Sequence, residues 1–197
     1  QLDGRMDEVQ VQFVGQTMAP NFDLLTTDIV AQAPCLEFAP VLDAADAAGL
    51  SAVDPSLVHV VILGSWTAGG AGDWMGDASV VNGWGVPVLG FGMGGGGYML
   101  EVGASLDFGD TFPQLTTSML AMNAAHDFFN TPYSVVTGMG EVPMLQNQGM
   151  VHAIGSSQGE VLGAHVDDPT YALLIRDTNI PDAWMCGFPS SDPMTTE

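Results

Sequence analysis

Apolar and polar residues alternate over Val9–Val14 (VQVQFV), the period-two pattern of a half-buried strand. Val58–Leu63 (VHVVIL) and Val86–Leu89 (VPVL) are instead continuous apolar runs, as strands covered on both faces require. Ala33–Ala48 (APCLEFAPVLDAADAA) has helical apolar spacing and stops before Gly49, which predicts a helix with a kink at Pro40. Asp77–Trp84 predicts a short helix, and Tyr98–Val102 a helix continuing from the glycine run Gly90–Gly97; Thr116–Ala125 is a further helical stretch. Met18–Thr27 and the glycine-rich Gly64–Gly72 read as loops. The last third changes character. Ser134–Val136, Pro143–Leu145, Met150–Ile154, Gly159–His165, Tyr171–Arg176 and Ala183–Phe188 are short strand-like runs with turns between them. Strand–helix alternation followed by a strand-rich end predicts one α/β domain over residues 1–197. Its architecture is three-layer α/β/α, with a mostly parallel central sheet and an antiparallel extension.

Composition narrows the function classes. The 197 residues hold 23 acidic and two basic side chains, Arg5 and Arg176, with no lysine, for a formal charge of -21. Two basic groups cannot neutralise a phosphate backbone, which excludes nucleic acid as a partner. Anionic lipid is disfavoured for the same reason, and no apolar run approaches the ~20 residues of a membrane span. Charged residues make up only 13%, so the chain is poor in base and not dense in acid. That balance suits an acidic or extracellular setting, where protonated carboxylates leave few positive charges to repel one another. The opening QLDGRMDEVQ has no apolar core of a leader and starts at Gln1, which reads as a mature secreted chain or as a trimmed one. With 47% hydrophobic residues and a mean hydropathy of +0.26, part of the surface is either covered by further copies of the chain or built from Ser, Thr, Gly and Asn. Cys35 and Cys186 are predicted to form a long-range disulfide in an oxidising compartment; two buried thiols are the alternative.

The stretch richest in chemical information is Val86–Gly103 (VPVLGFGMGGGGYMLEVG), a buried strand running through a tight glycine turn into a helix. In many α/β enzymes such a turn presents a nucleophile, flanked two residues away on each side by small residues. Gly90 and Gly94 hold the flanks, and the central Gly92 has no side chain to attack with. A phosphate loop is a poor match, because no GK[ST] follows.

Val86–Gly103 resembles the nucleophile segment of class I glutamine amidotransferases, PVLGICxGxQLLAxxxG. Val60–Gly70 (VVILGSWTAGG) resembles their strand and oxyanion loop. Met144–Asp168 is similar to SHGDxVxxLPxGxxVLAxSxD, and Ala183–Asp192 (AWMCGFPSSD) falls where the family has GVQFHPE. The four segments keep order and spacing from about Val58 to Pro189. The resemblance implies a flavodoxin-like sheet. It places the family's nucleophilic Cys on Gly92, its catalytic His on Phe188, its supporting Glu on Ser190, its SHGD histidine on Gln148 and its substrate-holding Gln on Gly96. Backbone amides at Met93 and in the Gly64–Ser65 loop would remain as an anion notch. An oxyanion hole without nucleophile or base is not an acyl-transfer site.

Other constellations are weaker. His59, His126, His152 and His165 show no HxxxH or HExxH spacing. His59 reads as a core residue, His126 as a helix-end partner of Asp127, and His152 and His165 as residues that meet across neighbouring strands. Asp107 with Asp110 and Asp167 with Asp168 read as solvated turns, Ser156 and Ser157 as a polar turn, and most of the twelve methionines as core filler. No cofactor is implied. The expected function is a secreted, non-catalytic protein with a structural, self-assembling or binding role, with bound cations as loose counter-ions. The alternative is a hydrolase or small-ligand binder using another constellation in the cleft around Gly92.

Overall fold

A computed structural model describes residues 9–15, 36–40, 42–43, 46–64, 74, 77–107, 114–130, 134–144, 149–151, 153–156, 159–180 and 182–187. The strands are β1 (Val9–Gly15), β2 (Leu36–Phe38), β3 (Leu42–Asp43), β4 (Val60–Leu63), β5 (Val88–Phe91), β6 (Leu106–Asp107), β7 (Gln114–Thr116), β8 (Ser118–Ala121), β9 (Glu141–Pro143), β10 (Gly149–Val151), β11 (Gly155–Ser156), β12 (Gly159–His165), β13 (Ala172–Asp177) and β14 (Ala183–Cys186). The helices are α1 (Ala47–Ser51), α2 (Ala78–Asn82), α3 (Gly92–Glu101) and α4 (Asp127–Asn130).

Ten strands form one mixed sheet in the order β2-β1-β4-β5-β14-β13-β12-β8-β9, with β3 pairing β1 beyond β2. Pairing is parallel from β2 to β14 and antiparallel from β14 to β9. The fold is α/β as the alternation predicts, and the antiparallel part is about as wide as the parallel part. Two small ribbons, β7–β10 and β6–β11, stand outside the main sheet.

Alternation along the central strands sends neighbouring side chains to opposite faces. Val88 of β5 and Ala183 and Met185 of β14 join a core with Val14, Leu63, Tyr98 and Met99. Leu89, Phe91, Trp184 and Cys186 join a second core with Met119, Leu162, Leu173 and Phe129. α1 packs on α2 and α2 on α3, and α3 lies on β5 and β14. Phe129 of α4 and Val151 of β10 close the second face. The sheet is therefore covered on both sides, the middle layer of three.

Two predicted helices are absent. Over Ala33–Ala48, Leu36–Phe38 pairs in parallel with Val9–Val11 and Leu42–Asp43 with Val14–Gly15, while helical structure begins only at Ala47. Pro34 and Pro40 remove amide donors within that span, and the open edge of β1 offers a better set of partners. Thr116–Ala125 instead holds the end of β7, strand β8 and a turn, because β8 is held between β12 and β9. Ser134–Val136 is described without strand pairing, and Met18–Thr27 lies outside the described residues. The remaining predicted strands lie at or within a few residues of β1, β4, β5, β9, β10, β12, β13 and β14. No helix among the described residues is long and apolar enough to cross a membrane.

Candidate functional site

β5 ends at Phe91, whose backbone is extended, and α3 begins at the next residue. The reversal falls on Gly92, which is buried and has φ +53, a conformation that costs any residue with a Cβ. The sharp strand-to-helix turn expected from the sequence is therefore present, and it carries no side chain at its apex. The glycine run is itself the first part of α3. Each interior glycine costs a helix roughly 1 kcal/mol relative to alanine, so local propensity does not explain this helix. Tertiary packing does. A Cβ on Gly95 would lie 2.6 Å from both Cα and C of Gly90, so helix and strand backbones are in direct contact. The close partner of Gly90 is thus Gly95 and not the flank residue Gly94. Gly94 has another role: its carbonyl accepts the indole N–H of buried Trp74 at 2.8 Å. The Trp74 ring meets Tyr98 edge-on, with centroids 5.4 Å apart. Together these contacts fix the first two turns of α3 against the sheet.

Gly96 is buried within α3, and Met93 supplies a first-turn backbone amide. Gly64 lies at the end of β4, but its N–H donates to the Val14 carbonyl at 2.9 Å. It is committed to the sheet ladder and cannot also serve an anion, which removes Gly64 from the expected notch. Ser65, Gln148, Phe188 and Ser190 lie outside the described residues, as do Cys35, Asp110, His152 and Ser157. Cys186 is buried in the second core.

One histidine departs from the expected burial. His59 is exposed, and its Nδ1 accepts the Gln10 N–H at 3.0 Å, so it secures the start of the β1–β4 pairing and is not a core residue. His126 caps α4 by accepting the Phe128 N–H at 3.1 Å, and its Nε2 stands 4.0 Å from Glu160, not beside Asp127. His165 ends β12, which pairs with β8 and β13, whereas β10, the strand before His152, pairs with β7. The expected meeting of His152 with His165 falls on a residue outside the described ones. His165 is buried, its Nδ1 accepts the Asp167 N–H at 3.2 Å, and its Nε2 has no partner. β12 runs in the same direction as β14 and β5, so His165 lies at the Gly92 end of the sheet. Among the described residues no three His, Cys, Asp or Glu side chains cluster in a way that could hold a metal ion.

Arg176 joins a small cluster with Trp184 and Glu160. Its guanidinium lies 5.5 Å from the Trp184 ring centroid and 3.9 Å from the Glu160 carboxylate, and Phe128 stacks on Trp184 with centroids 5.2 Å apart. The carboxyls of Asp54 and Asp168 are held below their ordinary range, chiefly by the hydroxyls of Ser56 and Thr170. Both are turn-forming contacts and not reactive groups.

A sheet of this order, with a sharp turn at the C-terminal end of a central parallel strand, defines a glutamine-amidotransferase-like α/β fold. No family model and no curated protein matches the sequence. Solved structures do. A glutamine amidotransferase from Thermotoga maritima superposes with a TM-score of 0.58 at 13% identity, covering 95% of this chain and 79% of that one. A protein assigned as a GMP synthase subunit, from Thermoplasma acidophilum, superposes with a TM-score of 0.55, also at 13% identity, covering 92% of this chain and 83% of that one.

Proposed function

We propose that this chain is a pseudoenzyme on the glutamine-amidotransferase-like fold: a secreted, non-catalytic protein that acts through binding and self-assembly. Gly92 carries the reading. The apex of the turn between β5 and α3 is where a nucleophile would stand, and a glycine offers neither thiol nor hydroxyl. Phe188 and Ser190, at the positions that the resemblance gives to the base and its orienting carboxylate, supply no proton acceptor of that kind. The expected result is no glutamate release from glutamine above a buffer blank. Gly92→Cys alone is expected to restore none, since the base is missing too. Glutaminase activity that disappears in Gly92→Val would overturn the proposal.

Self-assembly is supported by large apolar side chains left on the surface. Leu100 and Met139 are 78% and 77% exposed, and Leu115, Met122, Phe128 and Val135 are also open to solvent. With so few basic groups, contacts between copies would be apolar and hydrogen-bonded, not ionic. The charge of -21 opposes them over roughly 8 Å at physiological salt. Association is therefore expected to strengthen with salt and as pH falls toward the sequence pI of 4.1, with loosely held cations acting in the same direction. Sedimentation between about pH 4 and pH 8 at two salt concentrations checks this; a monomer throughout would leave binding in the Gly92 cleft as the better account. The proposed secreted setting also carries the Cys35–Cys186 disulfide. Intact mass before and after reduction and alkylation is expected to reveal both thiols only after reduction.

A further inference from the structure

The opposite end of the sheet from Gly92 holds a cavity of about 290 Å³, lined by Asn82, Gly85, Val86, Val88, Tyr98, Ile180, Asp182 and Ala183. Three observations mark it as built. First, two backbone turns form its rim, one before β5 at Gly85 with φ +67 and one before β14 at Asp182 with φ +63. The Val88 N–H joins them by donating to the Asp182 carbonyl at 2.8 Å. Asp182 is the residue other than glycine that the structure holds in the left-handed region among the described positions. Such strain persists where the surroundings enforce it, often at ligand clamps.

Second, Tyr98 lines the cavity, is 2% exposed, and makes no protein hydrogen bond through its hydroxyl among the described residues. Burial alone pushes its phenol well above the ordinary range, so it remains a neutral O–H with its donor and lone pairs available. A buried tyrosine hydroxyl ordinarily finds a partner. Third, the lining combines three polar residues, exposed Asn82 and Asp182 at the mouth and buried Tyr98, with the apolar Val86, Val88, Ile180 and Ala183.

We infer that this cavity is a binding site for a small primary alkylammonium ion, distinct from the Gly92 turn. An ammonium has three donors and no acceptor. Its donors match the acceptors that the lining offers, a carboxylate, an amide oxygen and a phenol oxygen, and the apolar lining residues suit a short alkyl body. A volume at the lower end of the ~300–1,000 Å³ usual for ligand pockets limits that body to a few carbons. The net charge of -21 raises the local concentration of cations near the protein. No covalent step is involved. The site is independent of the pseudoenzyme reading, since neither Gly92 nor the positions around it line the cavity.

The test is a titration of the whole chain with n-butylamine, followed by methyl-resolved NMR at moderate salt. Saturable shifts are expected at the methyls of Val88, Ile180 and Ala183, with an affinity in roughly the millimolar range for a ligand of this size. Asp182→Asn keeps a residue that tolerates the left-handed backbone and is expected to weaken binding about tenfold. Tyr98→Phe is expected to weaken it about threefold, and 1-butanol to bind about tenfold more weakly than the amine. Asp182→Gly should raise the melting temperature by relieving the backbone while abolishing binding, a combination that a purely structural aspartate would not give. Shifts scattered over the acidic surface and erased by salt, no saturable shift, or equal affinity in the folded Asp182→Asn and Tyr98→Phe variants would each overturn the assignment.

Discussion

Asp177→Ala is expected to destabilise the fold by about 3–5 kcal/mol in urea titrations at neutral pH. Asp177 ends β13, is 1% exposed, and accepts four hydrogen bonds. Its Oδ2 takes the Ser105 N–H at 2.7 Å and the Ser105 hydroxyl at 2.8 Å; its Oδ1 takes the N–H groups of Asn179 at 2.6 Å and Ile180 at 2.8 Å. One carboxylate thus ties the chain leaving α3 to the loop between β13 and β14. Alanine would leave those donors facing a void, and each unsatisfied buried donor costs roughly 1–3 kcal/mol, less where water can enter. Asp177→Asn keeps one acceptor oxygen but turns an N–H₂ group toward donors, so an intermediate loss is expected.

The same residue predicts a pH dependence. Burial raises the Asp177 carboxyl, but the donated hydrogen bonds from Ile180, Ser105 and Asn179 outweigh it and hold the group below its ordinary range. The unfolded chain therefore takes up the proton first as pH falls. The stabilisation is fully present above the unfolded value, about pH 4, and is lost as pH drops through the lower folded value. Between pH 7 and the sequence pI of 4.1, relaxing self-repulsion acts in the opposite sense. Stability is expected to rise as pH falls from neutrality, pass a maximum near about pH 4–5, and then fall, with the acid limb blunted in Asp177→Asn. An identical acid limb in the variant would show that other carboxylates control it.

The sequence made the central sheet legible because β4, β5, β13 and β14 are largely buried and carry apolar runs that little else can accommodate. The strand–turn–helix at Gly92 was legible for a related reason, since few structures other than a tight turn call for small residues at Gly90, Gly92 and Gly94. The edge beside β1 was not. Leu36–Phe38 and Leu42–Asp43 become strands only because β1 presents unpaired groups there, a long-range fact that helical spacing cannot report. His59 was misplaced for a similar reason: the apolar run around it suggested burial, whereas the strand starts at Val60 and leaves the imidazole exposed on the Gln10 amide. The cavity was invisible. Asn82, Tyr98 and Asp182 span 100 positions, and no residue type signals that an aspartate will sit at φ +63.

Gly95→Ala is expected to destabilise the protein by about 2–3 kcal/mol, against the direction that helix propensity predicts. Gly95 sits inside α3, where alanine normally gains a helix roughly 1 kcal/mol. The added methyl would lie 2.6 Å from the Cα and C atoms of Gly90 and 3.1 Å from the Met185 sulfur. The thioether can turn aside, but the strand backbone cannot, because β5 is paired with β4 on one side and β14 on the other. The helix must then lift from the sheet. Lifting it opens the packing of Tyr98 and Met99 in the first core and pulls the Gly94 carbonyl from the Trp74 indole. Gly90→Ala meets the same contact from the other side, with its methyl 2.8 Å from the Gly95 Cα, and is expected to cost a similar amount. Gly138→Ala is the control: nothing lies within 4 Å of its added methyl, and its effect should stay within about 0.5 kcal/mol. The Gly90→Ala and Gly95→Ala losses should also fall short of additivity in the double variant, because one displacement of α3 relieves both clashes. A stabilised Gly95→Ala protein, or fully additive losses, would show that helix and strand do not meet backbone to backbone at this point.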